Sequence, residues 1–276
     1  MEVLIMPRIT KRDIYREYGI EYFKAGKNAW HINTPIGHMP PVLVDGNDKI
    51  GKGVFHFSTL AGDLIYNVTL ANGENVEMRG TCAGTCAGGY CVNGHYKRRQ
   101  SVKNSLANKT ELAREYPEFL KNAIMAQIKA DKIKFVRIHV TGDFFSRAYL
   151  NMWIEIIKAN PDTTFWTYTK ETAAENAFDN LPNANIVKSN IPEIGYNFGR
   201  AKYIINIYNF LNGINKPVYI CRCGMDPNQH CTNCKGCAKS EYVLFLEHGT
   251  DYNPAADPDF PALCKLIESQ GNLYLE

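Results

Sequence analysis

From Lys134 onward the chain alternates short β-branched and aromatic runs with amphipathic ones, and that alternation limits the fold more than any other feature of its 276 residues. Phe135–Val140, Thr164–Thr169 and Ile186–Ser189 read as strands, with helices expected between them at Ser146–Lys158 and Thr172–Leu181. In the first of these helices Leu150, Trp153 and Ile157 recur at steps of three and four, which puts them on one buried stripe. Tyr203–Leu211 continues as a helix and Val218–Cys221 as a strand. Strands joined by helices of this length pair in parallel through right-handed crossovers. With the strand ahead of the first cysteines there are five or more parallel strands, enough for a partial (β/α) barrel; an open doubly wound sheet fits the same period.

The cysteines are the second constraint. Eight of the nine fall into two tight groups, and with no export signal in view they point to metal rather than disulfides. The first group is Cys82, Cys86 and Cys91, set among glycines in GTCAGTCAGGYCVNGHY. Three sulfurs are one short of a closed zinc site, whereas an iron–sulfur cluster held by three leaves one iron open. The second group is Cys221, Cys223, Cys231, Cys234 and Cys237, in CRCGMDPNQHCTNCKGC. Its C-x-x-C-x-x-C part has ferredoxin-like spacing, any four of its members would also close a zinc site, and His230 is a further candidate ligand. Cys264, flanked by leucines, reads as a small buried residue.

Ahead of these lies a helix expected at residues 10–26, capped by Thr10 with Ile14, Tyr18 and Tyr22 on one face, and then β-rich runs at Val42–Val44, Val54–Ser58 and Leu64–Leu70. Three units are expected: an N-terminal extension at 1–70, an α/β core at 71–220 and a cysteine-rich segment at 221–276. His56 reads as a strand histidine with a structural role, ahead of the alternative that it is a ligand. The basic run Lys97, Arg98, Arg99, Lys103 and Lys109, leading into helix-prone sequence to Asp131, is either a phosphate or nucleic-acid contact or a solvated helix face. The net charge of +3 decides nothing between them. The apolar start MEVLIM meets Pro7 and Arg8 at once and no later run approaches a membrane span, so the expectation is a cytoplasmic protein with no membrane partner.

KIGKGVFHF at Lys49–Phe57, the cysteine loop, RIHVTGDFF at Arg137–Phe145, NPDTTFWTYTK at Asn160–Lys170 and the C-terminal cysteines together resemble the gene product 88 proteins of phages and bacteria. That resemblance implies a single domain over most of the chain and an iron–sulfur character. A looser resemblance is to the radical S-adenosylmethionine superfamily, whose partial barrels hold a three-cysteine [4Fe–4S] cluster in the loop after the first strand. Cys82 to Cys86 keeps the first interval of the superfamily's C-x3-C-x2-C spacing, while Cys86 to Cys91 has four intervening residues in place of two. Tyr90 occupies the aromatic place before the last cysteine, and Val140–Asp143 follows the second strand where the superfamily carries a cofactor-touching glycine segment.

The leading expectation is therefore an enzyme with an open-iron [4Fe–4S] cluster at Cys82, Cys86 and Cys91, an auxiliary cluster or zinc at the C-terminal cysteines, and S-adenosylmethionine bound near Tyr90, Thr141, Gly142 and Asp143. Loops after the strand ends build the sites of such folds, which makes Asp143, Lys170 and Asn190 the candidate catalytic groups for a small-molecule or nucleotide-like substrate, with an external electron donor. Asp143 reads equally as a cap on the helix that follows it. The alternative is a metal-stabilised nucleic-acid-binding module of phage origin that uses the basic run and performs no catalysis.

Overall fold

Thr10 opens α1 (Lys11–Glu17) with a capping box: its hydroxyl accepts from Asp13 N–H and its own N–H donates to the Asp13 carboxylate. The computed structural model describes residues 9–46, 50–82, 99–191, 195–222, 229–234, 236–247 and 252–270. The expected helix to residue 26 is shorter, because Gly19 adopts φ +71 and turns the chain. Tyr22 then enters a strand and stacks between Tyr15 and Trp30, at 4.5 and 4.9 Å. β1 (Tyr22–Lys24), β2 (Trp30–Thr34) and β3 (Gly37–Met39) form an antiparallel meander beside the core.

The central sheet begins with β4 (Val44–Asp45) and β5 (Val54–His56), an antiparallel pair. A separate hairpin, β6 (Ile65–Thr69) and β7 (Asn75–Arg79), comes next and leads directly to Cys82. The first cysteine loop therefore follows an inserted hairpin rather than a strand of the parallel sheet. The helix-prone stretch to Asp131 is two helices, α2 (Gln100–Glu115) and α3 (Pro117–Asp131), because Pro117 lacks an N–H and holds Tyr116 out of the helical region at φ −133. β8 (Phe135–Arg137), α4 (Arg147–Ala159), β9 (Thr164–Thr169) and β10 (Ala184–Lys188) complete the sheet, in the order β10-β9-β8-β5-β4. From β5 to β10 every neighbouring pair is parallel and the strands stand in chain order. β4 and β5, which precede the boundary expected at residue 70, lie inside this sheet.

Alternation of side chains gives the sheet two different faces. Val136, Ile138, Phe165 and Ile186 point to the helices and join Leu120, Ile124, Trp153 and Ile157 in the largest core. Val54, Trp166 and Val187 point the other way and are covered by Ile50, Tyr219, Val243 and the thiols Cys234 and Cys237. The connection between β9 and β10 is not the expected helix. It is a run of tight turns bonded three residues apart (Ala174 N–H to Glu171 O, Ala177 to Ala174, Leu181 to Phe178), which still buries Ala174, Phe178 and Leu181. Asn176, Asp179 and Asn180 offer the backbone local alternatives to a helical ladder there.

Beyond β10 come β11 (Asn190–Ile191), β12 (Gly195–Tyr196), β13 (Phe198–Gly199), α5 (Ala201–Gly213), β14 (Val218–Ile220), two single-turn helices α6 (Cys231–Cys234) and α7 (Gly236–Lys239), β15 (Tyr242–Leu246) and α8 (Phe260–Ser269). β15 pairs in parallel with both β13 and β14, and Lys188 N–H donates to Glu241 O, tying this part to the edge of β10. Cys264 is half-buried on α8, beside fully buried Leu263.

Candidate functional site

The C-terminal ends of the parallel strands are joined by a network of short polar side chains. One backbone irregularity aims it. Phe57 donates its N–H to Arg137 O (3.1 Å) and accepts from Val140 N–H (3.2 Å), a span of three residues where a regular parallel ladder spans two. The extra residue makes a β-bulge, and His139 there takes φ +57. Its Nε2 meets the Tyr149 hydroxyl at 2.8 Å, and burial holds the imidazole neutral by pushing its pKa down to about 3. The bulge carries Thr141 onto the end of β5, where its hydroxyl donates to Thr59 O (2.8 Å) and its carbonyl accepts from Thr59 N–H (3.1 Å).

Thr59 Oγ1 lies 2.8 Å from Thr81 Oγ1, and Asp143 N–H donates to that same Thr81 oxygen at 3.2 Å. Gly142 has φ +87, and a Cβ there would come within 1.9 Å of Thr59 Oγ1 and 2.7 Å of Thr81 Oγ1, so only glycine lets the three loops close. Asp143, 5% exposed, accepts from Phe144 N–H (2.8 Å), the Thr169 hydroxyl (2.7 Å) and Lys170 N–H (3.0 Å). Burial still raises its carboxyl to about 6, against the pull of those three donors. Asp143 is thus a clamp between the β8 and β9 loops. The cap of α4 is Ser146, whose hydroxyl accepts from Tyr149 N–H. Ser189 N–H bonds to Thr169 O, which brings the end of β10 to the same place, one residue before Asn190.

Cys82 therefore leaves the sheet one residue from this network, and its sulfur accepts from Gly62 N–H at 3.2 Å. Cys86, Tyr90, Cys91, Lys97, Arg98 and Cys223 lie outside the described residues. Arg99 is exposed at the start of α2.

The second thiol group lies against the sheet face opposite the helices. Cys234 and Cys237 are buried and Cys221 and Cys231 half-buried. A hydrogen bond with Cys221, then burial, then the nearness of Cys231 push the Cys237 thiol well above its ordinary pKa. Cys234 Sγ meets the Tyr219 hydroxyl at 2.8 Å. Asn185 on β10 fastens the segment down by donating to both Cys237 O and Ser240 O at 2.8 Å. Thr232 donates to Lys52 O (3.1 Å), and His230 Nδ1 is buried without a hydrogen-bond partner. Among the described residues no three or more His, Cys, Asp or Glu side chains stand as a ready metal shell. The thiols pack in one apolar cluster with Trp166, Val187, Tyr219 and Val243.

Sequence reasoning missed the bulge at His139, the bridging role of Thr59 and Thr81, and the seating of the second cysteine group across the sheet. Only the run of threonines at strand ends (Thr59, Thr81, Thr141, Thr169) was visible as a signal.

Fold and site together define a mixed α/β protein with a threonine–aspartate network at its parallel strand ends, Cys82 next to it in the chain, and a second thiol group on the sheet face away from the helices. The sequence profile described as gene product 88 matches residues 41–193, more than half of the chain. The protein belongs to the gene product 88 family. The gene 88 proteins of Mycobacterium phages L5 and D29 are 33% and 32% identical to it over 103 residues, which is 34% of this chain and 41% of each relative. The chain thus spans well under half the length of the curated relatives it matches. No solved structure matches it. The profile covers Cys82, the strand-end network and Lys170; the C-terminal thiols fall beyond it. Among the described residues no helix is long and apolar enough to cross a membrane.

Proposed function

We propose that the protein is an iron–sulfur enzyme of the radical S-adenosylmethionine type, with an open-iron [4Fe–4S] cluster on Cys82, Cys86 and Cys91 and a second centre drawn from Cys221, Cys223, Cys231, Cys234 and Cys237. The carrying observation is the hydrogen bond from Asp143 to Thr81, which sets the root of the first cysteine loop among the strand ends. Four parallel strands in chain order with their helices on one face support a partial barrel over a doubly wound sheet, which would reverse order and carry helices on both faces.

The donor sets fit soft metal. Buried thiols disfavour the thiolate unless a cation accompanies them, and Cys237 is in that position. His230 Nδ1, orphaned one residue before Cys231, is a further ligand waiting for a partner. At the first loop, the Gly62 N–H on Cys82 Sγ is the kind of bond that tunes cluster sulfurs. A reduced cluster supplies one-electron chemistry to the bound cofactor. The chain's own residues orient and shield: Asp143 fixes the β8 and β9 loops together, and Thr141 and Gly142 form the floor beside Cys82. Lys170 is held at the same place by its backbone N–H on Asp143.

Anaerobic reconstitution followed by iron, sulfide and zinc analysis tests this. About four irons or more per chain, one centre's worth lost on replacing Cys82, Cys86 and Cys91 with Ala, and 5′-deoxyadenosine formed under reduction are the expected results. Iron without that product would leave an electron carrier. Zinc alone, with salt-dependent nucleic-acid binding lost on neutralising Lys97, Arg98, Arg99 and Lys103, would make the protein a metal-stabilised binding module.

A further inference from the structure

Tyr219 stands on β14 opposite Val243 of β15 and is 6% exposed. Its ring lies so close to α7 that a Cβ on Gly236 would come within 2.3 Å of it, so strand and helix together fix where the hydroxyl goes. That hydroxyl meets Cys234 Sγ at 2.8 Å. Between a phenol and a free thiol either group can donate. A metal-bound thiolate carries no proton, and Tyr219 is then the donor.

A second donor in the same cluster has no acceptor. Trp166 is 2% exposed, and its indole Nε1, which can only donate, is buried without a hydrogen-bond partner. It packs in one apolar cluster with Tyr219, Cys234 and Cys237. Its cross-strand neighbour on β10 is Asn185, whose amide donates to Cys237 O at 2.8 Å, so the Cys237 backbone is held on the strand beside this indole. A buried N–H with nothing to bond is rare in a folded protein and marks a missing partner. Sulfur is the acceptor chemistry that this cluster offers.

We propose that the Tyr219 hydroxyl and the Trp166 indole N–H donate to sulfurs of the second cysteine centre and set its reduction potential. The inference rests on the iron–sulfur reading above and adds to it two residues that ligate no metal. Reduction of the centre takes one electron from an external one-electron reductant, makes and breaks no bond, and leaves part of the added negative charge on sulfur. Burial beside Val187 and Val243 disfavours that charge. Fixed O–H and N–H dipoles in a dry cluster favour it, and they hold the potential above the value that burial alone would give. Both are positioning residues, acting on the metal only through its sulfurs.

Tyr219→Phe and Trp166→Phe each remove one donor and keep an aromatic ring in place. Titration of the anaerobically reconstituted full-length protein with dithionite, followed by electron paramagnetic resonance, reads the potential. The signal of the second centre is the one that survives replacing Cys82, Cys86 and Cys91 with Ala. Each variant should keep its iron and shift the redox equilibrium about tenfold toward the oxidised form, about 59 mV more negative for one electron. Trp153→Phe, the same truncation in the core on the helix side of the sheet, should leave the potential where it is. Iron retained with an unchanged potential in either donor variant overturns the proposal and leaves the cysteine reading standing. No iron on the second group of the wild type overturns both. If Trp166→Phe does not fold, Tyr219→Phe decides alone, and iron lost from that variant would mark a structural contact and overturn the proposal.

Discussion

At the scale of single residues, Asp143 binds three donors and yet is raised from its ordinary 3.8 to about 6, so desolvation outweighs its hydrogen bonds. Between those two values the folded chain keeps a proton that the unfolded chain has released, and stability falls as pH rises through that window. His56 and His139 act in the opposite sense. Burial lowers them from 6.5 to about 4 and about 3, so the unfolded chain gains protons first and stability falls as pH drops below about 6.5. Two groups outweigh one, and acid should destabilise the protein with Asp143 blunting the slope. Asp143→Asn removes the blunting and turns an amide N–H₂ toward either Lys170 N–H or the Thr169 and Phe144 donors. It should cost about 1–3 kcal/mol at neutral pH and steepen the acid loss, measured by urea unfolding at a series of pH values. An unchanged slope would mean that Asp143 does not titrate in the fold.

At the scale of elements, the second cysteine segment is placed by a close approach. A Cβ at Gly236 would come within 2.3 Å of the Tyr219 ring, whose hydroxyl holds Cys234. Gly236→Ala should push α7 off β14, costing about 1–3 kcal/mol as overpacking does, and should lower metal bound by the second group while sparing the first. Metal analysis with a thermal melt reads both. What was legible in advance among the elements was local. The helix begun at Ser146, with Leu150, Trp153 and Ile157 buried behind it, follows from spacing alone, though its cap is Ser146 and not the Asp143 that the sequence offered. The Thr172–Leu181 stripe had the same apolar spacing and made turns, because Asn and Asp side chains compete for the backbone and spacing does not count hydrogen bonds. The bulge at His139 was out of reach for a different reason: it exists only in the pairing of Phe57 with Arg137 and Val140, eighty residues away in sequence. Asp143 was legible as a strand-end carboxylate. That it clamps two loops and caps no helix depends on Thr169 and Lys170 arriving from another strand.

At the scale of the whole molecule, two parts of the chain far apart in sequence complete one face. Trp166 and Val187 are almost wholly buried, and what covers them includes Tyr219, Cys234, Cys237 and Val243, all later in the chain. Loading the second centre should therefore stabilise the central sheet as well as its own segment, since a ligand that binds only the folded form adds its binding energy to folding. Amide hydrogen exchange at β9 and β10, compared with and without a chelator, checks this; protection unchanged there while lost in α6 and α7 would show that the segment is an independent flap. The same arrangement sets an order on synthesis. A ribosome delivers residues at about 5–20 per second, so the face of Trp166 and Val187 emerges seconds before its cover does. During that interval the nascent protein carries an open apolar surface, and a chain stalled ahead of Tyr219 is the form in which this fold most needs a chaperone.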